Sequence, residues 1–301
     1  MNTTKITPLR TSENPWVRRL DSLKRAWYKY SRNWLSKLGL VMVLTIIFLA
    51  IFAPYVTPFP QHAGKFVDFK SAGQPPSQTY LMGTDIYGRD ILTRVVFAFG
   101  NALLMAIGVL VISVPIGSLL GLAAGYYAGS WVEIVIMRIT DVFISIPPLV
   151  LALVVASVLK PTLMNSMMAV TVSWWPWYTR LTFSQASSIR NEYFVQAAEL
   201  VGAGRMHILF NEILPNCASS IFTKMALDVG WVILVGAALS FVGLGEQPPA
   251  AALGTMVADG VNRMPDQWWI AIFPALAIML IVLGFNLFGD GVRDMLSPEE
   301  E

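Results

Sequence analysis

Residues 191–216 read NEYFVQAAELVGAGRMHILFNEILPN, and the fold turns on how they are read. The stretch lies between two long apolar segments. Yet Arg190, Glu192, Glu199, Arg205, His207 and Glu212 recur at spacings that set charge around short helices rather than beside one lipid-facing stripe. This pattern describes a water-exposed platform between two membrane spans. Within it Gln196, Ala197 and Ala198 precede Gly202, and Leu214 and Pro215 close it. Small side chains leave room for another protein's surface, and a glycine relieves the bend between two short helices. The proline is expected to act as a stop.

Composition supports the membrane setting. Of 301 residues, 55% are hydrophobic and 13% are charged, with a mean hydropathy of +0.59; soluble domains carry about 25% charged residues. The net charge of +2 is too small, and the basic residues too scattered, for nucleic acid. Cys217 is the single cysteine, which excludes an internal disulfide framework. With only His62 and His207 beside it, there are too few ligands for a metalloenzyme.

Upstream, residues 1–37 hold Lys5, Arg10, Arg18, Arg19, Lys24, Arg25, Lys29, Arg32 and Lys37 against Glu13 and Asp21. This excess places a basic amino-terminal segment in the cytoplasm. It is too long for a signal peptide, and no A-x-A cleavage pattern follows. Trp16, Trp27, Tyr28, Tyr30 and Trp34 fit either a helix at the membrane interface or plain packing on the rest of the protein. Residues 38–57 form the first span, ended by Pro54, Pro58 and Pro60. Residues 58–94 make an external loop and an amphipathic helix, in which Asp85, Arg89, Asp90 and Arg94 read as a solvated face with local ion pairs.

Residues 95–290 hold five further spans around the cytoplasmic loop 187–216. Val95 to Val132 is uncharged, with Gly108, Gly117, Gly121 and Gly125 spaced for close helix approach. The third span runs from Glu133 to about Leu159. Arg138 and Asp141 lie three apart within it, as a gate or, preferably, as a mutually neutralising pair inside the bundle. The fourth begins at Leu163 and carries Trp174, Trp175, Trp177 and Tyr178. The fifth, Cys217 to Val242, carries Lys224 and Asp228 as an i, i+4 pair, and the sixth runs from Trp268 to Gly289. Residues 291–301 form a cytoplasmic tail. Six spans leave both termini inside.

The platform resembles the EAA loop of ABC importer permeases. Ala197, Ala198, Gly202, Leu214 and Pro215 match that pattern, while Gln196 stands at the family's Glu and Glu212 at its Ile. Three further motifs are similar to those of the dipeptide, oligopeptide and nickel permease family. They are Gly83-Thr84-Asp85 with Gly88-Arg89-Asp90, then Leu239-Ser240-Phe241 with Gly243-Leu244-Gly245 and Gln247-Pro248-Pro249, and a tail of Asn286, Gly289, Asp290, Gly291, Arg293, Asp294 and Pro298. Two positions depart from the family. Phe97-Ala98-Phe99-Gly100 lacks the usual Arg after GRD, and Ala252-Leu253 replaces an acidic-Trp pair after QPP.

The resemblance implies an all-α polytopic membrane protein, a type I importer permease with six transmembrane helices in a bacterial or archaeal plasma (inner) membrane. Implied partners are a homologous permease, two cytoplasmic ATPase subunits and an external or periplasmic substrate-binding protein. The implied cargo is di- or oligopeptides, with nickel chelates or oligosaccharides as the alternative. In the loop, Ala197, Ala198 and Gly202 would permit docking and the bend. Leu214 and Pro215 would fix the return into the membrane, and Tyr193 and Glu199 would make rim contacts. No G-x-x-x-x-G-K-[ST] and no HExxH occurs, so ATP and Mg are expected on the partners, with no cofactor and no enzymatic site in this chain. Two rival readings are a secondary transporter using Arg138 and Asp141 as an ion relay, and a membrane scaffold.

Overall fold

A computed structural model describes residues 15–296, with side chains from residue 24 onward. The early basic residues Lys5 and Arg10, the side chains of Trp16, Arg18 and Arg19, and the tail residues Pro298 to Glu301 lie outside the described part. Helix α1 (Pro15–Arg32) meets α2 (Trp34–Ile51) at Asn33, whose side-chain oxygen accepts from Leu35 N–H and caps α2. A single turn, α3 (Ala53–Val56), and a mostly irregular segment lead to α4 (Ile91–Tyr126). Then come α5 (Trp131–Ile144), α6 (Pro148–Val158), α7 (Leu163–Ile189), α8 (Tyr193–Leu200) and α9 (Arg205–His207). A π-helical turn, Ile208–Ile213, runs into α10 (Leu214–Phe241), followed by α11 (Leu253–Val261) and α12 (Trp269–Leu296).

Contacts at the helix ends fix the direction of each run. Arg190, after α7, lies over the Tyr126 ring at the end of α4, and Ser219 in α10 donates to the Leu296 carbonyl at the end of α12. Tyr30 donates to the Ser36 carbonyl beside Gly291, so α1 and the start of α2 share this platform end. At the opposite end, Glu246 accepts from Leu163 N–H, Arg94 reaches the Pro249 carbonyl, and Trp269 donates to the Thr84 carbonyl. Here the segments 57–90 and 243–262 form a cap. The runs α2, α4, α5 with α6, α7, α10 and α12 therefore alternate between platform and cap.

Three of these helices, α2, α4 and α12, and the continuous stretch Arg205–Phe241 are each long and apolar enough to cross a bilayer, and the bent pair α5 and α6 adds a fifth. Helix α7 has 27 residues, about 40 Å of helix, and runs between the same two ends. Its Ser, Thr, Trp and Arg180 dilute its hydropathy. The count is compatible with the expected six.

The glycine stripe acts as its spacing implies. A Cβ on Gly108 would meet Met167, on Gly117 Trp175 and Tyr178, on Gly121 Thr179 and Phe183, and on Gly125 Ala186, all of them on α7. With no Cβ in the way, the two backbones close into the most extensive helix pair of the bundle.

Two expectations about the helices need correction. The third span is not one helix: α5 and α6 meet at 86°. Pro147 and Pro148 remove two N–H donors, and a proline drives the residue before it out of the α region, so the helix cannot continue past Ser145. Pro215, in contrast, is no stop. It sits in the first turn of α10 and follows the π-helical turn without a break. A wider i→i+5 turn spares the carbonyl that the proline ring would strike in an α-helix.

Candidate functional site

The platform is built on a hydrophobic underside. Val195, Ile208 and Ile213 are fully buried against the ends of the long helices and hold α8, α9 and the π-turn to the bundle. What faces outward is also apolar. Leu200 is 88% exposed and Val201 86%, with Tyr193, Met206 and Phe210 beside them. Ala197 is exposed and Ala198 partly so, leaving a shallow surface between the larger side chains.

Gly202 makes the bend as expected. Its φ of +83° lies in the left-handed region. Gly202 N–H bonds to the Glu199 carbonyl at 3.0 Å and Ala203 N–H to the Ala198 carbonyl at 3.0 Å, the paired bonds that close a helix on a glycine. Gln196 turns its side-chain amide back to the Asn191 carbonyl at 3.0 Å, and Glu199 points to solvent. His207 meets Asn211 through Nδ1 at 2.8 Å and Glu212 through Nε2 at 3.5 Å. Leu214 and Pro215 start α10 directly beneath.

A second cluster lies along α5, α7 and α10. The expected pair of Arg138 with Asp141 does not form. Asp141 instead accepts from Arg180 on α7, and Arg138 is exposed with no ion pair among the described residues. The reason is packing: Phe143 and Trp175 meet edge to face at 5.4 Å, and this presses α5 onto the α7 face that carries Arg180. Nearby, Lys224 does pair with Asp228 at 3.1 Å, and Trp174 Nε1 donates to the same carboxylate at 3.0 Å. Lys224 Nζ also sits 5.3 Å over the Tyr178 ring. Arg138 and Arg180 are exposed and Asp141 partly so, on helices that run the length of the membrane bundle. Hydrocarbon does not tolerate that, so this face belongs against water or another protein.

The cap contradicts the solvated-face expectation. Asp85, Arg89, Asp90 and Arg94 are all buried. Asp85 accepts from Arg89 Nε at 2.7 Å and from the N–H groups of Tyr87 and Arg89, and Arg94 Nε lies 3.5 Å from it. Asp90 caps α4 by accepting from Thr93 N–H and Oγ1, while its own N–H donates to His62 Nδ1 at 2.9 Å. Arg94 donates to the Pro249 and Ala250 carbonyls, each at 3.3 Å, so the GTDxxGRD and LGxQPP motifs meet in one knot. These charges are covered because they sit at the start of α4, beneath the loops on either side of it. Burial lowers the His62 pKa against the opposing pull of Asp90, Asp85 and Asp68. Burial raises that of Asp259 on α11.

Sequence reasoning missed His62 and Arg180. His62 lies in a loop with no motif, and its packing between Phe59 and Phe66 appears only once the cap is folded. For Arg180 a signal existed: a lone cation inside a span needs a partner, and Asp141 is the acid at matching depth on the neighbouring span.

Comparison with known proteins agrees with this geometry. Residues 113–300 match the family described as binding-protein-dependent transport system inner membrane component, and residues 22–76 match the N-terminal TM domain of oligopeptide transport permease C. The chain is 40% identical over 259 residues, 86% of each chain, to a probable D,D-dipeptide transport system permease protein of Escherichia coli. It is 39% identical over 287 residues to the dipeptide transport system permease protein of the same organism, covering 93% of this chain and 94% of that one. A di/tripeptide transport system permease protein of Pseudomonas aeruginosa is 38% identical over 283 residues, 92% of both chains. With its alternating apolar runs and anchored platform, the chain belongs to the binding-protein-dependent transport system inner membrane component family.

Proposed function

We propose that this chain is the permease subunit of an ATP-driven importer for di- and oligopeptides, and that it takes its energy from cytoplasmic ATPase subunits through the platform of residues 187–216. The observation that carries the reading is the platform's two-sided build: Val195, Ile208 and Ile213 are locked into the bundle while Tyr193, Leu200, Val201 and Met206 stand exposed. Such a surface transmits a push without deforming. Ala197 and Ala198 would let an ATPase surface approach closely, and Gly202 would hold the angle between the two short helices. Tyr193 and Glu199 would contact the rim, and Leu214 with Pro215 would pass the motion into α10.

The same reading places the platform and both termini in the cytoplasm, and the cap towards an external binding protein. A homologous permease would cover the face carrying Arg138, Asp141 and Arg180, with the Asp141–Arg180 pair as its gate. Peptide cargo is favoured over nickel chelates or oligosaccharides because the relatives compared are permeases of peptide transport systems. Gentle solubilisation from the native membrane followed by identification of co-purifying chains tests this. A P-loop ATPase, a second permease and a peptide-loaded binding protein are the expected result. Recovery of this chain alone, or only with copies of itself, overturns it.

A further inference from the structure

We infer that the cleft between α1, the start of α2 and the end of α12 is a binding site for a phospholipid headgroup carrying a phosphodiester and a primary ammonium, as in phosphatidylethanolamine. Lys29, Arg32, Asn33, Trp34 and Asp294 line this cleft. Its depth follows from α2, an apolar helix of 18 residues that begins at Trp34. The cleft therefore opens at the membrane surface on the platform side, level with lipid headgroups. Trp34 is 66% exposed there, where an indole ring favours the boundary between headgroup and acyl chain.

The walls of the cleft are fixed. Tyr30 is buried, donates to the Ser36 carbonyl at 2.8 Å, stacks on Trp27 at 5.9 Å and packs on Phe288 of α12 at 6.3 Å. Gly291 leaves the space for its ring. Helix α1 is thus pinned to the two helices that flank the cleft, and its cations are presented from a set position.

Charge selects the occupant. Arg32 supplies donors for a phosphodiester, in a geometry that suits two oxygens at once. Asn33 has its side-chain oxygen engaged by Leu35 N–H, which leaves its amide group as a donor. The Asp294 carboxylate on the same wall would repel a purely anionic headgroup and attracts an ammonium. Among the described residues, the Arg32 guanidinium and the Asp294 carboxylate complement the phosphate and the ammonium of phosphoethanolamine better than phosphoglycerol, and a choline group has no N–H to offer the acid.

The test is native mass spectrometry of the full chain in detergent with an equimolar mixture of phosphatidylethanolamine, phosphatidylglycerol and phosphatidylcholine. Wild type is expected to retain phosphatidylethanolamine over the other two by about tenfold. Arg32→Gln should abolish this retention and Arg32→Lys partly restore it. Asp294→Asn should keep lipid binding but lose the preference over phosphatidylglycerol. Lys24→Gln with Arg25→Gln removes two charges from exposed positions of the same helix and should change nothing. Equal loss in that control shows diffuse attraction and overturns the site. A wild-type preference for phosphatidylglycerol, or displacement of lipid by millimolar inorganic phosphate, also overturns it.

Discussion

Arg180 on α7 donates to the Asp141 carboxylate on α5, although Arg138 stands one turn from Asp141 on its own helix. The bridge joins α7, which leads straight into the platform, to the half-span that ends at the 86° break before α6. Movement of the platform that shifts α7 therefore loads this contact before it reaches the break.

Neutralising either partner should uncouple the two helices. In the assembled importer, Asp141→Asn or Arg180→Gln is expected to lower substrate uptake about tenfold while ATP hydrolysis persists, the size of a typical coupling between two linked elements. The reversed pair, Asp141→Arg with Arg180→Asp, should recover most of the uptake. Arg138→Gln, which breaks no ion pair, serves as the comparison. Failure of the reversal to recover uptake would mean that the bridge is not the coupling contact.

Gly202 tests the platform itself. Its φ of +83° disfavours any side chain, yet nothing lies within 4 Å of where a Cβ would stand. Gly202→Ala should thus cost only the left-handed conformational penalty, about 1 kcal/mol. Amide exchange at Gly202 and Ala203, whose N–H groups close α8, should speed up about fivefold, while that of the α4 and α7 core stays unchanged.

Two glycines of α4 should respond in opposite directions. A side chain at Gly121 would meet the Thr179 carbonyl, Phe183 N and Thr182, whereas one at Gly100 meets nothing within 4 Å. Gly121→Leu is expected to lose about 3 kcal/mol or more through overpacking against α7. Gly100→Ala should gain up to about 1 kcal/mol from helix propensity. Thermal unfolding in one detergent, read side by side, measures both.

Much of this architecture was legible because lipid imposes it. Uncharged runs long enough to cross a bilayer mark α2, α4 and α12, and the Gly108 to Gly125 spacing already indicated a tight partner. The bend at Gly202 was legible for the same kind of reason, since local backbone chemistry decides it. What escaped reading depended on pairing between distant segments. Asp141 chose Arg180 over Arg138 because of how α5 lies on α7. The charges from Asp85 to Arg94 are buried because a loop more than a hundred residues away covers them, and Arg94 reaches Pro249 there. Local periodicity carries no information about such a cover. Pro215 misled for another reason: a π-turn ahead of it removed the clash that would have stopped an α-helix.

His62 gives the cap a defined pH response. Its Nδ1 accepts from Asp90 N–H, so a proton there breaks the bond that ties the loop to the start of α4. Burial lowers the His62 pKa in the folded state, and the groups around it are Asp90, Asp85, Asp68 and Arg89. With the folded value below the unfolded one of about 6.5, the stabilising contribution is fully present above that pH. It is lost as pH falls through 6.5 towards the folded value, because the unfolded chain takes up the proton first. Asp259 acts with the opposite sign, since its raised pKa stabilises the cap at low pH and fades as pH rises through its folded value. The difference between wild type and His62→Asn isolates the histidine, because the Asn side-chain oxygen can still accept from Asp90 N–H. Unfolding midpoints recorded from about pH 7.5 down to 5 should fall more steeply for wild type than for His62→Asn. Parallel curves would show that His62 keeps its proton balance on unfolding and that the cap is insensitive to it.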